Sequence, residues 1–360
     1  MGNHNTVLVV DAKAMRYNLK QYKDELSNHT KFMVMIKANG YGSGLYEIAN
    51  LLQCEKTDLL GVAYIDAAIE LRNAGISSPI MVMNPHMDSY SLFEQHQLLP
   101  AIFNINHLKA LIRDTKHPPP IHIKIDSGMH RLGFSLTEIP QLLEVLKNNN
   151  SIKVEGVFTH FSSSDLVSED GYTHQQAQIF ENAYRDISNS IGYRPTKHAL
   201  NSAGIIRFPE YHFDMVRLGI GLHGFEPTGR LQLKPASQLE TFVSQIQNLK
   251  KGDTVGYARK GKLKRDSRIA VIPVGYEDGY LRVFGNGNAF MKINGVSCPT
   301  VGNICMDMTM VDVTDTNCDE GDKVIVFGND PRIEQLAEWA STIPYEILTN
   351  VSKRVRRKFN

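Results

Sequence analysis

Between residues 30 and about 220, short apolar or β-branched runs alternate with longer amphipathic runs, and this alternation constrains the fold more than any other feature. The short runs have the length and residue types of buried strands, and the runs between them have the length of helices. The predicted strands are 33–37, 59–64, 79–83, 99–103, 120–126, 154–160, 197–201 and 214–219. Eight strands that alternate with helices predict a parallel (β/α)8 TIM barrel.

After residue 227 the pattern changes, because further strand-like runs follow one another without helices between them. These runs are 243–249, 254–258, 268–274, 289–293, 308–313 and 323–327, and a helix at 333–341 and a last strand come after them. The segment 226–235, with two prolines and a glycine, is the predicted junction. The fold class is therefore α/β, with a barrel domain over 1–230 and a mainly-β domain over 231–360. A helix at 11–26 precedes the barrel, and the first ten residues could belong to either domain.

Composition excludes several classes of protein. The chain has 360 residues, 42% of them hydrophobic and 21% charged, which is typical of a folded globular protein with two domains. With 39 Lys+Arg against 38 Asp+Glu, the charge balance indicates neither a nucleic acid nor an anionic membrane as partner. No apolar run is long enough to span a bilayer, and the N-terminal residues lack the pattern of a signal peptide.

The cysteines Cys54, Cys298, Cys305 and Cys318 show no CxxC or Cys/His spacing. Neither a disulfide framework nor a zinc site is therefore predicted, and a reducing cytoplasm is the expected location.

Lys37 ends the first barrel strand and precedes the turn-forming residues Ala38-Asn39-Gly40-Tyr41-Gly42. A lysine held at the end of a buried strand loses hydration, which lowers its pKa and leaves a neutral amine that can attack an aldehyde. The alternative is a lysine whose ammonium group simply reaches out to solvent.

Other polar residues fall at the carboxyl ends of later strands, where the loops of barrel enzymes form the active site. They are Arg131 after strand five, His160 at the end of strand six, Asn201 and Ser202 at the end of strand seven, and Arg217 with Gly219 at the end of strand eight. Taken singly, His160 could be a core histidine and Arg131 could pair with a surface acid. Together they predict one site, in which Ser202 and the backbone N–H groups near Gly219 and Ile220 form a phosphate cradle.

The run Gly219-Ile220-Gly221-Leu222-His223-Gly224 also matches the GxGxxG pattern of dinucleotide-binding folds. That pattern requires a helix directly after the glycines, whereas Phe225-Glu226-Pro227 follows here, so a dinucleotide site is not predicted. In the second domain, turn-flanked runs contain Tyr257, Tyr276 and Met306. Each run is more often a hairpin corner than a site, and Tyr257 is a candidate acid or base only if it is brought opposite Lys37.

At these residues the chain closely resembles the alanine racemase family, from about Leu8 to Arg354. The resemblance implies a pyridoxal 5'-phosphate enzyme with a barrel, a C-terminal β domain and an obligate homodimer with shared active sites. It also implies that the enzyme interconverts L-alanine and D-alanine by a two-base mechanism and supplies D-alanine for peptidoglycan.

The resemblance also implies a role for each site residue. Lys37 would be the Schiff-base lysine and one base, Tyr257 would be the opposed base, and Tyr41, Ser202, Gly219 and Ile220 would hold the phosphate. His160 would support Arg217 beside the pyridine nitrogen, Asn201 would line the site, Arg131 would contact the cofactor ring oxygen and the substrate, and Lys124 matches a lysine that is carbamylated in some members. Tyr276 would line the access corridor and Met306 would contact the substrate carboxylate, both from the partner subunit, as would Tyr257. No metal is expected.

Three positions depart from the family pattern: Ser43 replaces a usual histidine, His223 a common tyrosine, and Lys353 the phosphate-binding tyrosine near the C-terminus. As a cation, Lys353 could still bind the phosphate dianion. Open alternatives are a broad-specificity amino acid racemase on the same scaffold, a non-catalytic barrel protein that carries the same cofactor, and a barrel enzyme without it. A related decarboxylase is disfavoured, because that group has a carboxylate where Arg217 stands.

Overall fold

The structure is a computed structural model and describes residues 6–360. The chain begins with strand β1 (Val7–Val10) and helix α1 (Ala12–Asp24). Asp11 caps α1, because its carboxylate accepts hydrogen bonds from the backbone N–H groups of Lys13 and Ala14 at 2.8 and 2.9 Å. The predicted helix at 11–26 is thus confirmed, and its buried face includes Met15 and Tyr22.

A closed barrel of eight parallel strands follows within the described part of the chain. Its strands are β2 (Lys31–Met35), β3 (Leu59–Val62), β4 (Ile80–Val82), β5 (Leu99–Ile102), β6 (Ile121–Lys124), β7 (Val154–Phe158), β8 (Thr196–His198) and β9 (Met215–Leu218). Strand β2 pairs with both β3 and β9, which closes the barrel. Each predicted strand is confirmed, but each ends one to three residues earlier, and the residues beyond these ends belong to the loops at the rim.

Helices connect the barrel strands and cover its outside, as the alternating pattern predicts. They are α3 (Leu45–Cys54), α4 (Ile65–Asn73), α5 (Tyr90–Gln95), α6 (Ile105–Asp114), α7 (Ile139–Lys147), α8 (Asp170–Ile191) and α9 (Ser202–Arg207). Between β2 and α3 lies a short left-handed turn, α2 (Lys37–Tyr41). After β9 comes only a 3-10 turn, Ile220–His223, and then Gly224 in the left-handed conformation. The glycine-rich run therefore opens no long helix, which agrees with rejecting the dinucleotide motif.

The second domain is mainly β, as predicted. Its largest sheet has the strand order β16 (Val296–Pro299), β15 (Phe290–Ile293), β18 (Lys323–Phe327), β10 (Ser237–Phe242), β1 and β19 (Arg356–Phe359). Strands β11 (Gln245–Leu249), β14 (Ser267–Ile272) and β17 (Thr309–Asp312) form another sheet, and β12 (Thr254–Val255) pairs with β13 (Gly261–Lys262). Strand β1 pairs with β10 and β19 and so lies in the second domain's sheet; residues 1–5 lie outside the described residues.

Several elements of the second domain differ from the sequence prediction. Strands β13 and β16 were not predicted, and the predicted strand 254–258 ends at Val255, with a 3-10 turn at Tyr257–Arg259. Strand β10 was missed, because the first strand of this domain was expected only from residue 243; β10 nevertheless alternates buried and half-buried residues and pairs with both β1 and β18. One helix was expected near the end of the chain, whereas α10 (Ile333–Trp339) is followed by α11 (Pro344–Thr349). In residues 6–360, no helix combines the length and apolar character needed to cross a bilayer.

Candidate active site

A pocket of about 340 Å³ opens at the carboxyl ends of the barrel strands. Most of the site residues predicted for the barrel line it: Lys37, Tyr41, Lys124, Arg131, His160, Asn201, Ser202, Arg217 and Gly219. Ile220 is buried at the start of the 3-10 turn that follows Gly219, so the backbone rather than the side chain faces this region. Residues up to 182 positions apart in the sequence, Lys37 and Gly219, therefore line one pocket, as the shared-rim hypothesis predicts.

The turn that carries Lys37 has an uncommon backbone. Residues 38 to 41, Ala-Asn-Gly-Tyr, have φ values of 52°, 55°, 59° and 52°, which is the left-handed region. For a residue with a side chain this conformation costs about 1–2 kcal/mol, so surrounding contacts must hold the turn in place. Asn39 accepts a hydrogen bond from the Leu45 N–H at 3.1 Å, and Arg357 donates to the Gly42 carbonyl at 2.9 Å. The first contact fixes the start of α3, and the second joins the turn to the second domain.

The amine of Lys37 differs from the sequence expectation in one respect. Lys37 is exposed rather than buried in the single chain, because its side chain enters the open pocket instead of the protein interior. The pocket walls still remove part of its hydration, and Arg131 adds a nearby positive charge, so the pKa of Lys37 is lowered from its ordinary value. The residue as a whole is exposed in the single chain, whereas the expected direction of the pKa shift is found.

Hydroxyl and backbone N–H groups converge at one end of the pocket. The Ser202 hydroxyl accepts hydrogen bonds from the N–H groups of Gly219 at 2.9 Å and Gly221 at 3.3 Å. The Tyr41 hydroxyl lies against Gly219, where a Cβ atom would come within 2.5 Å of it. Such a group of donors around a residue without a side chain suits a bound anion such as a phosphate.

Arg217 lies at the barrel end of the pocket and is 3% exposed. Its guanidinium donates to the carbonyl oxygens of Thr159 and Ala199 at 2.7 and 2.6 Å and to the His198 Nδ1 atom at 2.8 Å, and His160 Nδ1 lies 3.2 Å away. Burial and the charge of Arg131 lower the pKa of Arg217. The carbonyl and imidazole acceptors nevertheless hold the guanidinium in its protonated form, because each accepts one of its N–H groups.

Lys124 and Arg131 are brought to the pocket by the end of β6 and the loop after it. The loop is closed by the Phe134 N–H, which donates to the Lys124 carbonyl at 2.9 Å, and by the Asp126 N–H, which donates to the Phe134 carbonyl at 3.0 Å. Lys124 is buried, and burial with the charges of Arg131 and Arg217 lowers its pKa to about 8. Together with Lys37, these side chains make the pocket strongly cationic and suited to an anionic ligand.

Comparison with known proteins agrees with this geometry. The family model described as alanine racemase, N-terminal domain, matches residues 10–227, and the model for the alanine racemase C-terminal domain matches residues 236–359. The chain belongs to the alanine racemase family. Alanine racemase 1 of Oceanobacillus iheyensis is 35% identical over 365 residues, covering 97% of this chain and 96% of the relative. Alanine racemase 1 of Clostridium acetobutylicum is 36% identical, covering 97% and 94%.

Solved alanine racemase structures share the whole architecture. The enzyme from Clostridium difficile has a TM-score of 0.92 at 32% identity, covering 100% of this chain and 97% of that one. The Bacillus anthracis alanine racemase with bound L-Ala-P also has a TM-score of 0.92, at 29% identity, with 100% and 96% covered.

The site residues that the family resemblance assigned to the second domain lie outside the Lys37 pocket of the same chain. Tyr257, Tyr276 and Met306 are 68%, 41% and 52% exposed, and none of them lines the Lys37 pocket of the described chain. One loop joins them: the Asn303 amide donates to the Tyr257 carbonyl at 3.0 Å, and the Tyr276 N–H donates to the Cys305 carbonyl at 3.1 Å. They therefore form a single exposed patch on the alanine racemase C-terminal domain.

Sequence reasoning missed Tyr345, which lines the pocket and packs on Tyr41 with ring centroids 6.1 Å apart. Burial raises the pKa of Tyr345 to about 12. Lys353, expected at the position of a phosphate-binding tyrosine, instead lines a neighbouring cleft with Glu47 and Glu70. In the sequence, nothing in the residues around Tyr345, including Pro344, indicated a site residue.

The other two departures from the family pattern contact each other. Ser43 lies 3.4 Å from the Nδ1 atom of His223 and 3.2 Å from the Ser237 hydroxyl. The His223 ring packs on Tyr41 with centroids 5.1 Å apart, and burial lowers the pKa of His223 to about 3. A neutral imidazole therefore supports the Tyr41 ring from behind.

Proposed function

We propose that this chain is an alanine racemase, an isomerase that interconverts L-alanine and D-alanine with pyridoxal 5'-phosphate attached to Lys37. In a cell-wall-forming bacterium it would supply D-alanine for peptidoglycan. The observation that carries the proposal is that the Lys37 amine and the Tyr41–Ser202–Gly219 cradle open into the same cationic pocket. An aldehyde that also carries a phosphate dianion fits both ends of such a pocket.

The residues present fit this cofactor. The hydroxyls of Tyr41 and Ser202, with the backbone of Gly219 and Ile220, would hold the phosphate, and the Lys37 amine would hold the aldehyde carbon. When bound, the cofactor withdraws electrons from an attached amino acid and so acidifies its α C–H bond. Arg217 would lie beside the pyridine nitrogen with Asn201 and His160 lining the same wall. Arg131 would contact the ring oxygen and the substrate.

Arg217 would limit how strongly electrons are withdrawn. Its guanidinium already donates to two carbonyls and to His198, and an arginine gives up a proton far less readily than an acid would. The pyridine nitrogen would therefore stay unprotonated. A weaker electron sink favours rapid return of the proton over competing loss of the carboxylate.

Racemisation requires a base on each face of the substrate, because the proton removed from one face must return on the other. Lys37 would be the base on one face, and its lowered pKa, which makes the neutral amine more available, supports this role. Tyr257 would be the other base and would come from a partner subunit in a homodimer, with Tyr276 and Met306 beside it. The exposure of these three side chains on one face of the second domain supports such a contact.

The cofactor attachment is tested by absorbance spectroscopy of the purified protein before and after borohydride, followed by peptide mapping of the stabilised adduct. We expect the adduct on Lys37 in the wild type and in Lys109→Ala, a control that removes an exposed lysine of α6. Lys37→Ala should give no adduct. An adduct that maps to another lysine, or none in the wild type, refutes the cofactor assignment.

The reaction is tested with α-deuterated alanine of each hand in ordinary water. The wild type should exchange the label from both enantiomers, whereas Tyr257→Phe should suppress exchange from L-alanine far more than from D-alanine. Equal residual rates from the two enantiomers would count against the two-base assignment. Comparing alanine with serine, lysine and arginine would separate an alanine racemase from a broad-specificity racemase.

A further inference from the structure

Two fully buried imidazoles form a column inside the barrel, below the pocket. The Nδ1 atom of His198 lies 2.8 Å from a terminal nitrogen of Arg217, and the Nε2 atom of His198 lies 3.0 Å from the Nδ1 atom of His122. His122 also lines a cavity of about 200 Å³ at the opposite end of the barrel, with Lys31 and Glu155. The column therefore connects the active-site arginine with the base of the barrel.

The packing around the column leaves room for these two rings and little else. Gly156, the register neighbour of His122 on β7, could not carry a side chain, because its Cβ atom would lie 2.2 Å from His122 Nδ1. On the same strand, Phe158 stacks on the His198 ring with centroids 4.8 Å apart and an interplanar angle of 10°. Both rings are thus held in the orientation that makes the two hydrogen bonds.

The direction of these hydrogen bonds follows from the chemistry of arginine. A guanidinium has only donors, so the Nδ1 atom of His198 must accept. In a neutral imidazole the single proton is then on Nε2, which donates to His122 Nδ1. The proton of His122 is in turn on its own Nε2 atom. Burial and the positive charge of Arg217 lower the pKa of both histidines, to about 3 for His122, which agrees with neutral rings.

We propose that His122 is a remote positioning residue: by accepting from His198 Nε2–H it fixes the tautomer that presents His198 Nδ1 as an acceptor to Arg217. Without this acceptor, the His198 N–H is either left unsatisfied in the barrel or moves to Nδ1, where it opposes an Arg217 N–H. In either case the position of the Arg217 guanidinium is less well fixed. The consequence for catalysis rests on the proposed function, whereas the protonation pattern does not.

Neutron diffraction from deuterium-exchanged crystals of the wild-type holoenzyme tests the protonation pattern directly. We expect deuterium on Nε2 of both His122 and His198 and none on either Nδ1 atom. Deuterium on Nδ1 of either ring overturns the proposal. This measurement needs no variant and no activity, so an absence of racemase activity with the expected pattern would refute only the proposed function.

A matched pair of variants tests the positioning role. Asparagine can place its side-chain oxygen near the position of His122 Nδ1, whereas leucine has a similar shape and no acceptor. We expect His122→Leu to lower kcat about tenfold, the effect of one unsatisfied buried donor, with KM changed less than about twofold. His122→Asn should keep kcat within about threefold of the wild type. Equal losses in the two folded variants, as checked by thermal melting, would contradict the role; if His122→Leu does not fold, the neutron map decides.

Discussion

A Cβ atom on Gly219 would lie 2.5 Å from the hydroxyl oxygen of Tyr41 and 3.8 Å from that of Ser202. Because Gly219 has no side chain, the proposed phosphate has room to contact both hydroxyls. We predict that Gly219→Ala raises the dissociation constant of pyridoxal 5'-phosphate at least about tenfold, because one displaced charge-assisted hydrogen bond is worth about 1.5–3 kcal/mol. Fluorescence titration of the cofactor-free protein measures this constant.

Gly171→Ala is the control for that substitution, because a Cβ atom there meets nothing within 4 Å and the residue lies in α8 away from the pocket. It should leave cofactor affinity unchanged. If the two variants bind the cofactor equally well, the cradle does not hold the phosphate.

Burial lowers the pKa of Lys37 most and the charge of Arg131 lowers it further, so Arg131 should shift the pH at which the amine reacts. Removing this charge in Arg131→Gln raises the pKa of Lys37 and reduces the neutral fraction at a given pH. The rate at which the cofactor-free protein forms the adduct, followed by stopped-flow absorbance, should therefore reach its half-maximum at a higher pH. Arg131→Lys keeps the charge and should leave the profile in place; a shift in both variants alike would mean that guanidinium geometry, not charge, matters.

Lys124 gives a second pH prediction through folding. Its pKa is about 8 in the folded protein and 10.5 without burial, so below pH 8 folding carries the cost of a buried cation. Between pH 8 and 10.5 the unfolded chain binds more protons, and stability rises with pH. Lys124→Met should increase the free energy of unfolding at pH 7 by roughly 3 kcal/mol and by much less near pH 10.

Urea unfolding of the cofactor-free protein in carbon dioxide-free buffer measures this difference. Lys109→Met, at an exposed position on α6, should change stability by less than about 0.5 kcal/mol at either pH. A benefit of Lys124→Met that does not depend on pH would show that packing, not charge, causes it. Labelled bicarbonate would separately reveal a carbamate on Lys124.

Tyr345 and Lys353 lie within ten residues of each other but belong to different cavities. Tyr345→Ala removes the ring that packs on Tyr41, a contact worth about 0.5–1.5 kcal/mol beyond area burial, and should weaken cofactor binding up to about tenfold. Lys353→Ala should change it less than about twofold. If Lys353→Ala weakens cofactor binding more than Tyr345→Ala in the same titration, Lys353 is a phosphate ligand after all.

If Tyr257 reaches the Lys37 pocket of a second copy, two inactive variants should complement each other. Mixing Lys37→Ala with Tyr257→Phe, followed by subunit exchange, gives heterodimers with one intact site and should restore about a quarter of wild-type activity, the fraction expected for random exchange. Native mass spectrometry would verify that exchange has occurred. Verified heterodimers without activity would contradict a shared site.

Barrel strands and many of their rim residues were predictable because strand ends carry a local signal: an apolar run stops at a polar residue such as Lys37 or His160. Strand β10 was not predictable, since only two of the six residues in Ser237–Phe242 are apolar and the strand forms by pairing with β1 and β18. Tyr345 was missed for a related reason. Nothing near it in the sequence marks a site, and only the packing of α11 against the Lys37 turn brings its ring to Tyr41.

The sequence by itself determined the order of strands and helices and the residue types at the barrel rim, because hydrophobic periodicity and strand-end polarity are properties of neighbouring residues. The tertiary structure alone decided that Lys37 enters an open pocket, that Lys353 faces a different cleft, and that His122 and His198 connect Arg217 to the barrel base. These are contacts between residues far apart in the chain, and their distances depend on how the barrel closes.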